Sequence, residues 1–121
     1  MKLKNILFVV RDMERAKAFY RELFGLTVIR DFGENVMLTE GLVLQERTIL
    51  EKLIGKKAVS GDGDAELYFE ENDFDGFLEK LQDYPEKIKY LNPLIVDDKG
   101  QRVVRIYDPD GHVIEVKEKG V

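Results

Sequence analysis

RIYDPDGHVIEVKE, residues 105–118, carries the clearest structural signal in the chain. It contains two short apolar runs on either side of DPDG, residues 108–111, which is typical of a tight turn. Proline fixes φ, aspartate hydrogen-bonds to nearby backbone, and glycine adopts a positive φ without steric cost. The stretch therefore predicts two strands joined by a turn. The second strand carries one carboxylate, Glu115, between apolar residues.

The rest of the chain alternates similar short strands with helices. Two helices are predicted after Asp12 and Asp73, which are typical N-cap residues, and each has apolar side chains at helical spacing. A third, short helix is predicted to end at Gly55. Strands are predicted over residues 3–10, 27–32, 35–38, 42–46, 65–69, 89–97, 102–107 and 112–118.

The two halves of the chain align as copies of one βαβββ module. An offset of 61 residues places Asp12 on Asp73 and aligns the apolar faces of the helices that follow. The sequence therefore predicts a single α+β domain with module one over residues 1–54, a Gly-rich linker over 55–64 and module two over 65–121.

Four polar side chains occupy matching strand positions in the two halves. The same offset places Asn5 on Glu66, and alignment of the glycines that precede the last strands places Gln45 on Glu115. If the strands curve into one surface, these four oxygen-bearing side chains could converge, and such oxygens suit hard divalent cations. Alternatively, they face water, as polar residues of alternating strands commonly do.

The composition limits the possible functions. A net charge of −5 without basic blocks argues against nucleic-acid binding. The absence of cysteine and the single histidine exclude thiolate sites and multi-histidine zinc or iron sites within one chain. No apolar run is long enough to cross a membrane, and the first residues do not resemble a signal peptide, so we expect a cytoplasmic protein.

Several motifs resemble the vicinal oxygen chelate superfamily, which includes glyoxalase I (lactoylglutathione lyase), bleomycin- and fosfomycin-resistance proteins and extradiol dioxygenases. The motifs are ILFVVRDMERAKAFYRELFGLTVI, EGLVLQE, AELYFEENDFDGFLEKL and RIYDPDGHVIEV, which together cover nearly the whole chain. The resemblance implies that two βαβββ modules form an eight-stranded incomplete barrel of the glyoxalase type. It also implies a homodimer.

The resemblance further implies a metal inside the barrel, on the first and last strands of each module. The four ligand positions correspond to Asn5, Gln45, Glu66 and Glu115. Only Glu115 is the residue that glyoxalase I has, since Asn5, Gln45 and Glu66 depart from its usual ligands. The implied cofactor is a divalent ion: nickel, cobalt, manganese, magnesium or zinc.

The activity that the resemblance implies is a metal-dependent lyase or isomerase. Such an enzyme stabilises the enediolate of a small oxo-substrate, with Glu66 or Glu115 as the general base. Val9 stands where glyoxalase I has an arginine that helps to hold glutathione, so a glutathione adduct is not the expected substrate. Three further residues are expected in the substrate cavity: Tyr68, Asn35 and Arg105.

A second function is compatible with the same resemblance. Proteins of the bleomycin-resistance type bind a small molecule in the same cavity without a metal, and the departures at Asn5, Gln45 and Glu66 favour this alternative. Extradiol dioxygenases need two histidines and a carboxylate on iron, and the single histidine, His112, excludes them.

Overall fold

The fold is described here from a computed structural model, which covers residues 1–58 and 63–120. The chain divides into two compact units, Met1–Val59 and Ser60–Val121. The predicted linker includes residues 59–62 and the predicted second module includes Val121, and these five residues lie outside the described part of the chain.

The first unit contains one four-stranded sheet in the order β1-β4-β3-β2. Strand β1 runs parallel to β4, and the other neighbouring pairs are antiparallel. Its elements are β1 (Ile6–Val10), α1 (Met13–Phe24), β2 (Val28–Asp31), β3 (Asn35–Leu38), a short 3₁₀ turn (Thr39–Gly41), β4 (Leu42–Glu46) and α2 (Arg47–Ile54).

The second unit repeats this topology, with a sheet in the order β5-β8-β7-β6. Strand β5 is parallel to β8, and the remaining pairs are again antiparallel. Its elements are β5 (Glu66–Glu71), α3 (Phe74–Asp83), β6 (Lys89–Val96), β7 (Arg102–Tyr107) and β8 (Val113–Glu118). The predicted α+β class and the two βαβββ modules are confirmed. In the described residues neither sheet closes on itself, as an incomplete barrel requires of each module.

Both helices after the first strands begin where the aspartates predict. The carboxylate of Asp12 accepts a hydrogen bond from the Arg15 N–H at 3.1 Å, and that of Asp73 accepts one from the Gly76 N–H at 3.0 Å. Helix α1 ends at Gly25, whose φ of 68° lies in the left-handed region that glycine favours. These local interactions fix where each helix starts above its sheet.

Each unit has its own apolar core. Helix α1 buries Ala16, Phe19, Tyr20 and Leu23, and α3 buries Phe74, Phe77 and Leu81. The inner strands supply the other side of each core, with Leu44 and Ile114 fully buried. Full burial of one such side chain stabilises the fold by about 1.5–3 kcal/mol.

Strand β6 forms an outer edge of the second sheet and exposes apolar side chains. Leu94, Ile95 and Val96 are 42–64% exposed, and Pro93 lies within the strand. The first sheet ends in a similar way, because Val28 and Ile29 of its edge strand β2 are exposed. In the described residues no helix is long and apolar enough to span a membrane.

Candidate functional site

The turn between β7 and β8 is held by one buried aspartate. The carboxylate of Asp108 accepts hydrogen bonds from the backbone N–H groups of Asp110 and His112, each at 2.9 Å. Its second oxygen lies 2.7 Å from Nδ1 of His112. The single histidine, His112, is therefore part of the turn. The turn also sets where β8 begins and, with it, where Glu115 lies.

Glu115 is paired with an arginine on the neighbouring strand. Strand pairing places Tyr68, Glu115 and Arg105 side by side across β5, β8 and β7. Nη2 of Arg105 lies 2.6 Å from Oε1 of Glu115, whose side chain is only 15% exposed. Nη1 of Arg105 donates to Oδ1 of Asn92 at 3.3 Å, so the guanidinium is held from two sides.

Glu66 lies on the same face of this sheet. It precedes Tyr68 by two residues, so both side chains project from one face, and Glu66 lies about 7 Å along the strand from the row of Glu115. This face borders a hollow of about 630 Å³, lined by Gly63, Asp64, Ala65, Glu66, Leu91, Asn92, Arg105, Tyr107 and Val113. The structure therefore brings together four of the predicted residues on one face: Glu66, Tyr68, Glu115 and Arg105.

Gln45 is paired with an asparagine in the first unit. Its side chain is buried, and Oε1 accepts a hydrogen bond from Nδ2 of Asn35 at 2.7 Å. Nε2 of Gln45 donates to the Glu34 carbonyl oxygen at 3.1 Å. Asn35 and Gln45 are direct partners across β3 and β4, so this pair is a neutral counterpart of Arg105 and Glu115.

Asn5 is not brought to Gln45. It lies just before β1, four residues ahead of Val9, which is the residue paired with Gln45. The separation along the strand is about 13 Å. Asn5 instead lines a different hollow of about 480 Å³, together with Asn35 and Met37.

The register between the first and the last strand differs by two residues between the two modules. Counted back from the helix caps, Leu7 and Tyr68 occupy equivalent positions, and their partners are Val43 and Glu115. In the antiparallel pairs β3–β4 and β7–β8, by contrast, Gln45 is the partner of Asn35 as Glu115 is the partner of Arg105, which agrees with the alignment of Gln45 with Glu115. That alignment therefore holds relative to the neighbouring antiparallel strand, whereas relative to the first strand Gln45 lies two residues further along than Glu115 does.

Lys117 adds a positive charge next to Glu115 on β8. Its Nζ lies 2.9 Å from Oδ2 of Asp97. This hydrogen bond raises the pKa of Lys117, and the charges of Asp97 and Glu115 raise it further against the opposing effect of burial. The main ion-pair partner of Lys117 is thus Asp97 and not Glu115.

Two residues of this face were not predicted. Asn92 lies between two irregularities in the pairing of β6 with β7, and such bulges change which way a side chain points. Alternation along the sequence therefore could not place Asn92 beside Arg105. Asp64 lies just before β5 in the Gly-rich segment, where no periodicity indicates its direction.

The family is shown by comparison with known proteins. Residues 3–119 match the model of the glyoxalase-like domain, and the chain belongs to this family, within the vicinal oxygen chelate superfamily. Among proteins with curated descriptions, none matches the chain. Members of the superfamily commonly use divalent metals.

Solved structures share the fold along nearly the whole chain. A protein of unknown function from Agrobacterium tumefaciens str. C58 is 36% identical, with a TM-score of 0.82, and the match covers 99% of this chain and 95% of that one. A lactoylglutathione lyase from Agrobacterium tumefaciens is 23% identical, with a TM-score of 0.69 and coverage of 97% and 92%. The fosfomycin resistance protein FosX from Listeria monocytogenes is 16% identical, with a TM-score of 0.76 and coverage of 100% and 95%.

The donor set of the chain does not fit a divalent metal well. Glu115 already has a guanidinium at 2.6 Å, and both polar groups of the Gln45 amide have hydrogen-bond partners. Asn5 lies far along the strand from Gln45. Residues 1–58 and 63–120 contain no group of three His, Cys, Asp or Glu side chains that could hold a metal ion.

Proposed function

We propose that this glyoxalase-like protein binds a small molecule without a metal, on the face of the second module that carries Glu66 and Arg105. The observation that carries the proposal is the contact between Arg105 and Glu115, which neutralises the carboxylate that matches the superfamily's metal ligand. The hollow beside this pair has the size of a small-molecule site.

The charges around the hollow favour a cationic ligand with an apolar part. Asp64 and Glu66 contribute two carboxylates to its lining, whereas the charge of Arg105 is balanced by Glu115. The lining also includes the ring of Tyr107, against which the apolar part of a ligand can pack. Leu91 and other apolar lining residues supply the surface for the ligand body.

The proposal is tested with a matched set of probes: benzylamine, benzyl alcohol and benzoate. Chelator-treated protein is titrated with each probe, and backbone amide shifts are recorded by NMR. We expect benzylamine to shift amides near residues 64–66 and 105–107 more than the other two probes do. Glu66→Gln should weaken this response, and Glu79→Gln, which changes a carboxylate of helix α3 that does not line the hollow, should leave it unchanged.

Binding that requires an added metal would contradict metal-independent recognition. Probe-induced shifts confined to other parts of the chain would contradict the location on this face. A stronger response to benzoate than to benzylamine would contradict the charge preference but would leave the location intact.

A metal-dependent lyase or isomerase is the second candidate. The observation that favours it is that Glu66 and Glu115 share one face of the second sheet, so one could act as general base next to a carbonyl group. Asn5 and Gln45 would be the remaining metal ligands. Stoichiometric metal in protein purified without chelator, lost in Glu115→Gln, would favour this candidate over the first.

We also propose that the chain forms a homodimer. Exposed apolar side chains at the outer strands, among them Ile29 and Val96, give each sheet an edge that a second copy could cover. Light scattering on the purified protein tests this directly. A single domain over 1–121 and a cytoplasmic location remain predictions from the sequence.

A further inference from the structure

We propose that Arg105 is an internal cation that takes the place of a divalent metal beside Glu115. The inference rests on the proposed metal-independent site, and it assigns the cause of metal independence to one side chain. Substitution of Arg105 should then create a metal affinity that the natural chain lacks.

The surroundings of the guanidinium are those of a cation site. Oε1 of Glu115 lies 2.6 Å from Nη2, and Oδ1 of Asn92 accepts from Nη1 at 3.3 Å. Glu66 and Asn92 line the same hollow as Arg105. Two carboxylates and one amide oxygen therefore belong to one face, and such oxygens are ligands that hard divalent ions accept.

The guanidinium and a metal compete for the same carboxylate. A bidentate or closely held arginine–carboxylate contact in a partly buried setting is among the stronger charge-assisted hydrogen bonds. A divalent ion at Glu115 would also lie within a few ångströms of a fixed positive charge, and the two like charges would repel each other. Both effects oppose metal binding while Arg105 is present.

The first module has no arginine at the corresponding strand position. The pair that corresponds to Arg105 and Glu115 across β3 and β4 is Asn35 and Gln45, and this pair is neutral. The first module therefore has neither the carboxylate that would attract a metal nor a cation that would replace it. The charged arrangement is confined to the second module.

The test is the substitution Arg105→Gln, which keeps a polar side chain and removes the positive charge. Chelator-treated natural protein and variant are titrated with Mn²⁺ and Ni²⁺ by calorimetry, and folding is checked by circular dichroism. We expect one equivalent of metal to bind the variant at least about tenfold tighter than the natural protein. Arg105→Met provides a second variant in case the glutamine variant does not fold.

Two controls identify the cause. Lys117→Gln removes another positive charge next to Glu115 without vacating the position of the guanidinium, and it should gain little metal affinity. The double substitution Arg105→Gln with Glu115→Gln should abolish the gained affinity. An equal gain in Lys117→Gln, or a gain that survives loss of Glu115, would contradict the inference.

The outcomes separate this inference from the proposed function. One equivalent of metal bound tightly by the natural protein would overturn both. Folded arginine variants without any gain in metal affinity would overturn the role of Arg105, whereas the binding of benzylamine to natural protein would still stand or fall by its own titration.

Discussion

The two modules place a hydrogen-bonded side-chain pair across corresponding strands, but the chemistry of the pairs differs. In module one, Asn35 and Gln45 form a neutral amide pair at 2.7 Å. In module two, Arg105 and Glu115 form an ion pair at 2.6 Å. The helix caps and buried faces are alike in both modules, so the differences between the two copies lie on the sheet face away from the core. The two modules therefore share their fold and differ in the polar side chains on this face of the sheet.

The largest effect is expected on the free energy of unfolding when the apolar core of either module is truncated. Comparing the two modules shows whether both depend on their cores to the same extent. Leu44→Ala and Ile114→Ala each remove a fully buried side chain from an inner strand. Each substitution should lower the free energy of unfolding by about 2–5 kcal/mol, because it loses buried area and leaves a cavity. Chemical denaturation measures both. A loss below about 1 kcal/mol in one of them would show that the cores are not comparable.

The next largest effect on stability concerns the difference between the neutral pair of module one and the ion pair of module two. Gln45→Glu places a carboxylate at a buried position, next to the Glu34 carbonyl oxygen that accepts a hydrogen bond from the Gln45 amide in the natural protein. The substitution should lower the free energy of unfolding by about 2–4 kcal/mol. Adding Asn35→Arg should recover part of this loss by reproducing the ion pair of the second module. If the double variant is less stable than Gln45→Glu alone, the two strand pairs do not offer equivalent geometry.

A smaller effect concerns the caps that both modules share. Asp12→Ala and Asp73→Ala each remove the acceptor for one N–H group in the first turn of a helix. Each should lower the free energy of unfolding by about 1 kcal/mol. Asp12→Asn and Asp73→Asn, which retain a capping oxygen, serve as controls. Unequal losses would show that one helix start depends on other contacts.

The smallest effect is a pH dependence that differs between the modules. The Arg102 side chain hydrogen-bonds to Glu118 and holds the pKa of that carboxyl below its ordinary value of 4.5. This stabilisation is complete above pH 4.5 and is lost as the pH falls through the lowered pKa in the folded state. The difference in melting temperature between natural protein and Arg102→Gln should therefore shrink below pH 4.5.

The matched substitution in the first module is Lys17→Gln. The pKa of Asp31 is lowered mainly by the backbone N–H of Gly33 and only secondarily by Lys17. Lys17→Gln should therefore change the pH profile of the melting temperature less than Arg102→Gln does. A larger change in Lys17→Gln would contradict this assignment of causes.

The fold could be predicted from the sequence because its determinants are local. The aspartate caps, the glycine after α1 and the period of apolar residues give the starts and ends of most elements within two or three residues. Helix α2 is capped by the carboxylate of Glu46, which accepts from the Thr48 and Ile49 N–H groups. Glutamate is not a typical cap residue, so the sequence predicted the end of this helix at Gly55 but not its start.

The candidate site could be predicted only in part, because it depends on register between distant strands. The face shared by Glu66, Tyr68 and Glu115 follows from alternation. The pairing of Gln45 with Val9 does not, because it depends on the turn before β4, where Glu40 has a left-handed φ of 65°. Alignment of the glycines gives the register of β4 with β3, but it cannot show that the register of β4 with β1 differs by two residues from that of β8 with β5.

Pro93 has a consequence for how the chain behaves among its own copies. The outermost strand of the second sheet is rich in exposed apolar side chains, which makes it a ready template for a further strand. Proline has no N–H, so a strand added at this edge loses a backbone hydrogen bond at the middle of the contact. The residue therefore works against open-ended stacking of sheets, while side-by-side association through the exposed apolar side chains stays possible.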